Sequence, residues 1–368
     1  MNPQRVLVAM SGGVDSSAVC LLLRDQGYEV VGMTMRAYDL PHQFADGATE
    51  PDYILSAKEL AATLNIEHHV IDVRQEFRAT IVQNFIDEYC AGRTPNPCVM
   101  CNRVFKFRLL QELADKLHCD FIATGHYVRK HIEGGLHYLL MGDDLRKDQS
   151  YFLWRVPQET LAKCIFPLGK MEKPEVRKYL EEKGFSFRAK QSESMEVCFV
   201  TADYRDFLRE QCPELAATVN GGAFVDSAGR KLGEHQGVPF YTVGQRKGLG
   251  IALGKPAYVL RLNAEKNTIV LGDESELTTQ TFFIENAEFV NQETDAIHPE
   301  LTVRVRYHSK PVACTIHTIE GDNRLLVRTQ VPVSAITPGQ SAVFYIGSRL
   351  AGGGFIASQR GIGAYIQQ

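Results

Sequence analysis

The sequence predicts an α/β protein whose first half is a parallel sheet covered by helices and whose remainder is mostly β, ending in a small β-barrel or sandwich, of which the barrel is the expectation. Three observations carry this reading. Apolar β-type runs alternate with helical periodicity through about residue 203, helical signals thin from about Tyr204, and short strands recur at regular intervals from about Leu277 to the end. At 368 residues the chain exceeds what one hydrophobic core usually supports. Soft boundaries near 203 and 276 divide it into regions 1–203, 204–276 and 277–368.

The elements follow in order. "RVLVAM" (5–10) reads as a buried strand, "VDSSAVCLLLRDQG" (14–27) as a helix closed by glycine, and "EVVGMTM" (29–35) as a second strand. "PDYILSAKELAATLN" (51–65) is helical with Pro51 as a start signal, "HHVIDV" (68–73) is a strand, and "FRATIVQNFIDEYCAG" (77–92) is helical. A further helix from about Asn102 leads into the strand "CDFIATG" (119–125). Later, "TFFIENAEFV", "LTVRVRYHSKPVACTIHTI", "NRLLVRTQ" and "QSAVFYIG" give the strands of the barrel.

Composition bounds the function. With 44% hydrophobic and 23% charged residues, the chain is an ordinary globular protein. No apolar run approaches the roughly 20 residues that span a bilayer, and the N-terminus breaks into glycines too early for a signal peptide, so a cytoplasmic protein without a membrane partner is expected. A net charge of −4 gives no global attraction to nucleic acid. Any polyanion must meet a local basic surface such as "NRVFKFR" (102–108), "GQRKGLG" (244–250) or "RVRYHSK" (304–310). The nine cysteines have no framework spacing and are expected as thiols, with Cys20 and Cys119 as core filler. "NPCVMCN" (96–102) sets two thiols three positions apart, which suits a metal clip, a redox pair or half of a catalytic site.

"MSGGVDSS" (10–17) follows a strand and opens a helix. Successive glycines let the backbone wrap an anion, Ser11, Ser16 and Ser17 add hydroxyls, and the helix N-terminus adds free N–H groups. This is a phosphate site, but not the lysine-bearing loop of P-loop enzymes, and it lacks the spacing of dinucleotide folds. Asp15 would repel a transferring phosphate unless a cation stands beside it.

"SGGVDSS" resembles the PP-loop of ATP pyrophosphatases, which have an adenine nucleotide alpha hydrolase-like fold and cleave ATP between its α- and β-phosphates to activate a carbonyl oxygen. The resemblance implies that ATP with Mg²⁺ is held by the backbone at Ala9, by Met10, Ser11, Gly12, Gly13, Val14, Asp15 and Ser16 of the loop, by Met35 after the second strand and by Gly125 after "FIATG". Farther along, "AGRTPNPCVMCNRVFKF" (91–107), "ATGHYVR" (123–129), "KDQSYFL" (147–153), "VCFV" (197–200), "GEHQG" (233–237), "TVGQRKGLGI" (242–251), "VRYH" (305–308) and "TPGQSAVFY" (337–345) together resemble the bacterial tRNA-specific 2-thiouridylases, in the right order over essentially the whole chain.

That resemblance implies a tRNA uridine 2-sulfurtransferase acting on wobble uridine 34 of the tRNAs for Lys, Glu and Gln. ATP adenylates the C2 oxygen, AMP and PPi are released, and sulfur replaces oxygen. By motif, Cys198 carries the persulfide and Cys101 is the nucleophile that ends in a disulfide with it. Asn96, Pro97 and Cys98 lie near the flipped base, with His126 beside it. Lys147, Asp148, Gln149, Arg306, Tyr307 and Gln340 touch tRNA. The partners implied are tRNA, not DNA, and a cysteine desulfurase or sulfur-relay protein as donor. Cys101 stands before the helix expected from Asn102, near Arg103 and Lys106, a placement that favours thiolate.

The pattern departs from the family at two places. Cys98 stands where many members carry aspartate, and "ESMEVCFV" has Glu193 and Glu196 where "DSTGICFI" is common. Three thiolates, Cys98, Cys101 and Cys198, are too few for a closed zinc site without a histidine such as His126 or His118, but they suit a [4Fe-4S] cluster with one open iron. The same thiolation through such a cluster is the alternative route. Two other classes compete: a nitrogen-transferring PP-loop ligase, which needs no paired cysteines, and a non-catalytic RNA-binding protein that keeps ATP as a structural ligand.

Overall fold

In a computed structural model, which describes residues 3–362 apart from 46, 192–196 and 202, the chain forms two compact units. The first comprises residues up to Ile81, Cys98–Phe199 and Ser348–Leu350; the second comprises Val82–Pro97, Val200–Gly347 and the segment from Ala351.

The first unit is built on five parallel strands, β1 (Arg5–Ala9), β2 (Glu29–Arg36), β3 (Glu67–Asp72), β4 (Phe121–Ala123) and β7 (Cys164–Ile165), in the order β3-β2-β1-β4-β7. Val6, Leu7 and Val8 are fully buried, because helices cover both faces and each central residue packs whichever way it points. The Val14–Asp25 helix places Ala18, Val19, Cys20 and Leu23 in that core, and Asp52–Leu64 adds Ala57, Leu60 and Ala61. The strand order runs outward from β1 to β2 and β3, then returns to the other side of β1 with β4. This reversal opens a crevice beyond the carboxyl ends of β1 and β4, where ligands bind in such sheets.

Three features of the first unit depart from the expected order. The helix before β4 begins at Pro97 and not at Asn102, running through Pro97–Cys101, a π-helical turn Asn102–Lys106 and Phe107–Lys116. A hairpin, β5 (Val128–Glu133) and β6 (Leu136–Met141), follows β4, turned by Gly134 and Gly135 at φ 57° and 80°. A helix at Lys173–Glu182 is closed by a capping box between Glu172 and Glu175.

The second unit contains a four-stranded sheet and a closed barrel. In the sheet, β8 (Gly222–Val225), β9 (Lys231–His235), β10 (Tyr258–Asn263) and β11 (Thr268–Gly272) lie in the order β10-β11-β8-β9. The barrel consists of β12 (Thr278–Phe289), β13 (Leu301–Arg304), β14 (Val312–Ile319), β15 (Asp322–Ser334), β16 (Ser341–Ile346) and β17 (Arg349–Ile356), and the pairing of β12 with β17 closes it. Phe282, Ile284, Val303, Val327 and Phe344 fill its interior. Closure removes the free edges that six strands would otherwise expose. Helical structure does persist past Tyr204, in Tyr204–Gln211 with Asp203 as N-cap and in Leu215–Val219.

Candidate active site

The loop between β1 and the Val14–Asp25 helix is shaped by contacts its residue types dictate. Gly12 adopts φ 74°, and a Cβ there would lie 2.3 Å from the carbonyl oxygen of Tyr53, so only glycine fits. The Ser17 hydroxyl donates to the Gly13 carbonyl at 2.8 Å, Ser16 donates to the same carbonyl at 3.2 Å, and the Ser11 amide donates to the Ser16 hydroxyl at 3.2 Å. The first intrahelical amide bond is Ser17 to Gly13, which leaves the preceding N–H groups for an anion.

A cavity of about 310 Å³ opens on this loop, lined by Ala9, Met10, Ser11, Asp15, Ser16 and Met35, with Gly125, His126 and Gln149 across from them. Apart from Gln149, expected against tRNA, these are residues the resemblance selected for nucleotide and for the base's neighbour His126, and they lie at the reversal point of the sheet. Gly125 approaches the loop so closely that a Cβ would lie 3.0 Å from that of Asp15. Gly12, Gly13 and Val14 shape the loop without lining the cavity, and Val14 is buried.

The repulsion expected from Asp15 is answered from a distant part of the chain. Lys173, 6% exposed, places its Nζ 2.7 Å from Asp15 Oδ1, and the Tyr127 hydroxyl donates to the same oxygen at 2.7 Å. Sequence reasoning missed Lys173; the helix start "KMEKPEV" was its only signal. Lys106, from the π-helical turn, also lines the cavity.

His126 is half-buried, stacked 5.9 Å from Phe107 and bonded through Nδ1 to the Thr124 hydroxyl at 2.7 Å. Burial, reinforced by the Lys106 charge, holds its pKa well below the ordinary histidine value, so the ring is neutral near pH 7. Gln149 accepts from the Tyr127 amide at 3.1 Å, which holds the 147–149 turn to the cavity wall. Asp148 is 1% exposed and accepts from Gly142 N, Ser150 N and the Ser150 hydroxyl. Its carboxylate therefore builds the turn that presents Lys147 and Gln149.

The cysteines diverge from the expected electrostatics. Cys98 and Cys198 are exposed and Cys101 is half-buried. Crowding by protein raises the pKa of all three, with the Cys198 thiol pushed up to about 12 and Cys101 and Cys98 adding like charge to it. Lys106 opposes the shift at each thiol. The expectation of a Cys101 thiolate thus fails: crowding outweighs the Lys106 charge, and the helix starts five residues earlier than expected, so Cys101 sits past its first turn, where the dipole fades. Arg103 does not help, since its Nη1 donates to the Arg155 carbonyl at 3.1 Å. Phe199 packs on Phe77 at 5.7 Å, and Phe77 on Phe105 at 5.6 Å, which ties the Cys198 segment to the turn after Cys101. Glu193 and Glu196 lie outside the described residues. Among the described residues no three His, Cys, Asp or Glu side chains come together to hold a metal ion.

In the second unit, Arg306 and Gln340 line a cavity of about 670 Å³ with Thr94, Arg205, Gln245 and Lys247. Arg306 Nη2 donates to Ala335 O and Thr337 Oγ1, both at 3.1 Å. Gln340 Nε2 donates to the carbonyls of Thr94 at 3.1 Å and Pro95 at 2.8 Å, so it fixes the backbone entering Asn96 and Pro97. Asn96 is buried and its Nδ2 lies 3.4 Å from the Ser341 hydroxyl, while the Tyr307 ring lies against His308, tilted by 44° with centroids 4.1 Å apart. No helix among the described residues is long and apolar enough to cross a membrane.

A strand, a glycine loop and a helix N-terminus at the reversal of a parallel sheet, with serines and a compensated aspartate around a polar cavity, define an ATP-using α/β domain of the PP-loop class. Family models agree along the chain: "tRNA methyl transferase HUP domain" matches residues 4–202, "tRNA methyl transferase PRC-barrel domain" 205–273 and "Aminomethyltransferase beta-barrel domain" 279–356. The tRNA-specific 2-thiouridylase MnmA 3 of Bacteroides fragilis is 58% identical over 367 residues, covering 100% of this chain and 98% of that one. The tRNA-specific 2-thiouridylases MnmA of Cytophaga hutchinsonii and Natranaerobius thermophilus are 42% and 41% identical, over 96% and 97% of this chain and 97% and 98% of theirs. The chain belongs to the tRNA-specific 2-thiouridylase family.

Proposed function

We infer that this protein is a tRNA uridine 2-sulfurtransferase that uses ATP to replace the C2 oxygen of a uridine with sulfur. The observation that carries the reading is Lys106: it lines the nucleotide cavity, and its charge acts on Cys98, Cys101 and Cys198, so carbonyl activation and sulfur chemistry share one neighbourhood. A nitrogen-transferring ligase would need no such thiols.

ATP enters with Mg²⁺, an ion that takes oxygen ligands and that Ser11 and Ser16, lining the cavity, would hold beside the phosphates. Adenine lies against Ala9, Met35 and Gly125, and the loop N–H groups hold the phosphates. The uridine is wobble uridine 34 of the tRNAs for Lys, Glu and Gln. Its C2 oxygen attacks the α-phosphorus, PPi departs, and the oxygen later leaves as part of AMP, a far better leaving group than oxide. The flipped base sits by Asn96, Pro97 and Cys98, with neutral His126 as a hydrogen-bonding neighbour that adds no charge. Lys147, Gln149, Arg306, Tyr307 and Gln340 hold the RNA, and Asp148 positions the first two.

The terminal sulfur of a Cys198 persulfide attacks C2, and AMP leaves. The Cys101 thiol then gives up its proton and attacks Cys198 Sγ, which forms the Cys101–Cys198 disulfide and releases 2-thiouridine. A cysteine desulfurase or a relay protein supplies the persulfide. The thiols do not form a metal-holding group among the described residues, so no step is routed through a [4Fe-4S] cluster. Regions 1–203, 204–276 and 277–368 serve as the catalytic, central tRNA-binding and C-terminal barrel domains of a cytoplasmic enzyme.

The test is 2-thiouridine formed in unmodified tRNA with ATP, Mg²⁺ and a persulfide donor. Cys101→Ala and Cys198→Ala should each abolish product, and the reading fails if either variant makes 2-thiouridine at the wild-type rate.

A further inference from the structure

The route above uses two thiols and leaves a third, Cys98, exposed beside them. We propose that Cys98 is the resolving thiol of this site: after each sulfur transfer it attacks Cys101 Sγ, releases Cys198, and leaves a Cys98–Cys101 disulfide for a dithiol reductant. The proposal rests on the persulfide route proposed above.

Three observations carry it. Cys98 and Cys101 both fall within the helical segment Pro97–Cys101, three residues apart. Helix geometry sets Cα atoms at that spacing about 5 Å apart. That separation falls inside the roughly 4.4–6.8 Å window a disulfide needs, so the pair can close without unwinding the turn. Second, Cys98 is exposed and Cys101 half-buried, so an external reductant reaches a Cys98–Cys101 disulfide at the Cys98 sulfur. Third, the Phe199–Phe77–Phe105 contacts fix the Cys198 segment against the same helical run, so a Cys101–Cys198 disulfide forms within reach of Cys98.

The exchange balances. The Cys98 thiol gives up its proton, its sulfur bonds to Cys101 Sγ, and the S–S bond to Cys198 breaks with the electron pair leaving on Cys198 as thiolate. No net oxidation occurs in this step. The dithiol reductant then supplies two electrons and two protons, restores Cys98 and Cys101, and is itself oxidised to a disulfide. Cys198 is meanwhile free to accept its next persulfide, so reloading and reduction proceed in parallel.

The experiment takes full-length protein loaded with persulfide through one turnover on unmodified tRNA without reductant, then traps free thiols with N-ethylmaleimide in acid and maps the peptides. The expected wild-type product is a Cys98–Cys101 disulfide with Cys198 alkylated. Cys98→Ser should instead accumulate Cys101–Cys198. With a dithiol reductant, its steady-state rate relative to its first-turnover burst should fall, since Cys198 then stays tied up until the reductant opens its own disulfide, and reloading no longer proceeds in parallel with reduction. The proposal is overturned if wild-type protein keeps the Cys101–Cys198 disulfide with Cys98 alkylated. Product formed with all three cysteines alkylated would instead sink the underlying persulfide route, and this inference with it. Because the connectivity is read in the wild-type chain, poor folding of the variant cannot mask the result.

Discussion

Replacing Lys173 with Met tests how the glycine loop tolerates an aspartate beside the phosphates. In the wild type the Lys173 ammonium lies 2.7 Å from Asp15 Oδ1 and is almost fully buried. Lys173→Met keeps the length and removes the charge, leaving Asp15 to face bound ATP with only the Tyr127 hydroxyl on the same oxygen. A unit charge about 6 Å from a phosphate charge at an effective dielectric of about 20 is worth about 2.8 kcal/mol. At about 1.4 kcal/mol per decade, KM for ATP should rise about a hundredfold. The assay is PPi release against ATP concentration at saturating Mg²⁺ and tRNA, with a thermal melt as control, because breaking a buried pair also costs stability. Adding Asp15→Asn should recover most of the ATP affinity by removing the exposed charge. An unchanged KM in Lys173→Met, or no recovery in the double variant, would refute the compensation.

Gly12→Ala should nearly abolish ATP binding by calorimetry, since the new Cβ meets the Tyr53 carbonyl at 2.3 Å and the backbone sits at φ 74°; wild-type affinity would show that the loop relaxes freely. Lys106→Met should shift the rising limb of the sulfur-transfer pH profile to higher pH. Lys106 lowers the pKa of all three thiols, so its loss means fewer thiolates at any given pH; an unshifted limb would deny it that part. Gln340→Ala should loosen the backbone before Asn96 by removing the 3.1 and 2.8 Å bonds to Thr94 and Pro95, at about 1–3 kcal/mol for carbonyls left unpaired. Faster amide exchange across 94–97 with raised KM for tRNA is the expected result. Acid should destabilise the first unit below about pH 6.5: the half-buried His126 and His68 bind protons more weakly folded than unfolded, so the unfolded chain takes up more protons there. A melting temperature flat from pH 7 to 5 would contradict this.

What was legible in the sequence, and what was not, follows from the range of the interactions concerned. The β1–loop–helix phosphate site could be read because every determinant is local: the apolar run of Val6–Val8, the glycines at 12 and 13, and serines that bond back to Gly13 within four residues. Barrel strands could be read from alternation, although closure by β12 against β17 depends on pairing across the whole barrel. The misses are long-range. Lys173 reaches Asp15 across 158 residues, and no window of sequence links a capped helix at 173 to a glycine loop at 12. The helix at Cys101 is the opposite case: Pro97 is a strong local start signal, and the helix runs from there and not from the expected Asn102. That misplacement also reversed the electrostatics. With the start at Pro97, the dipole favours residue 98 over 101, and Lys106, five residues past Cys101, becomes the nearby cation that acts on the whole thiol group. The local frame of this enzyme is thus written in short motifs, and the charges that make the frame usable for adenylation and sulfur transfer are supplied by the fold.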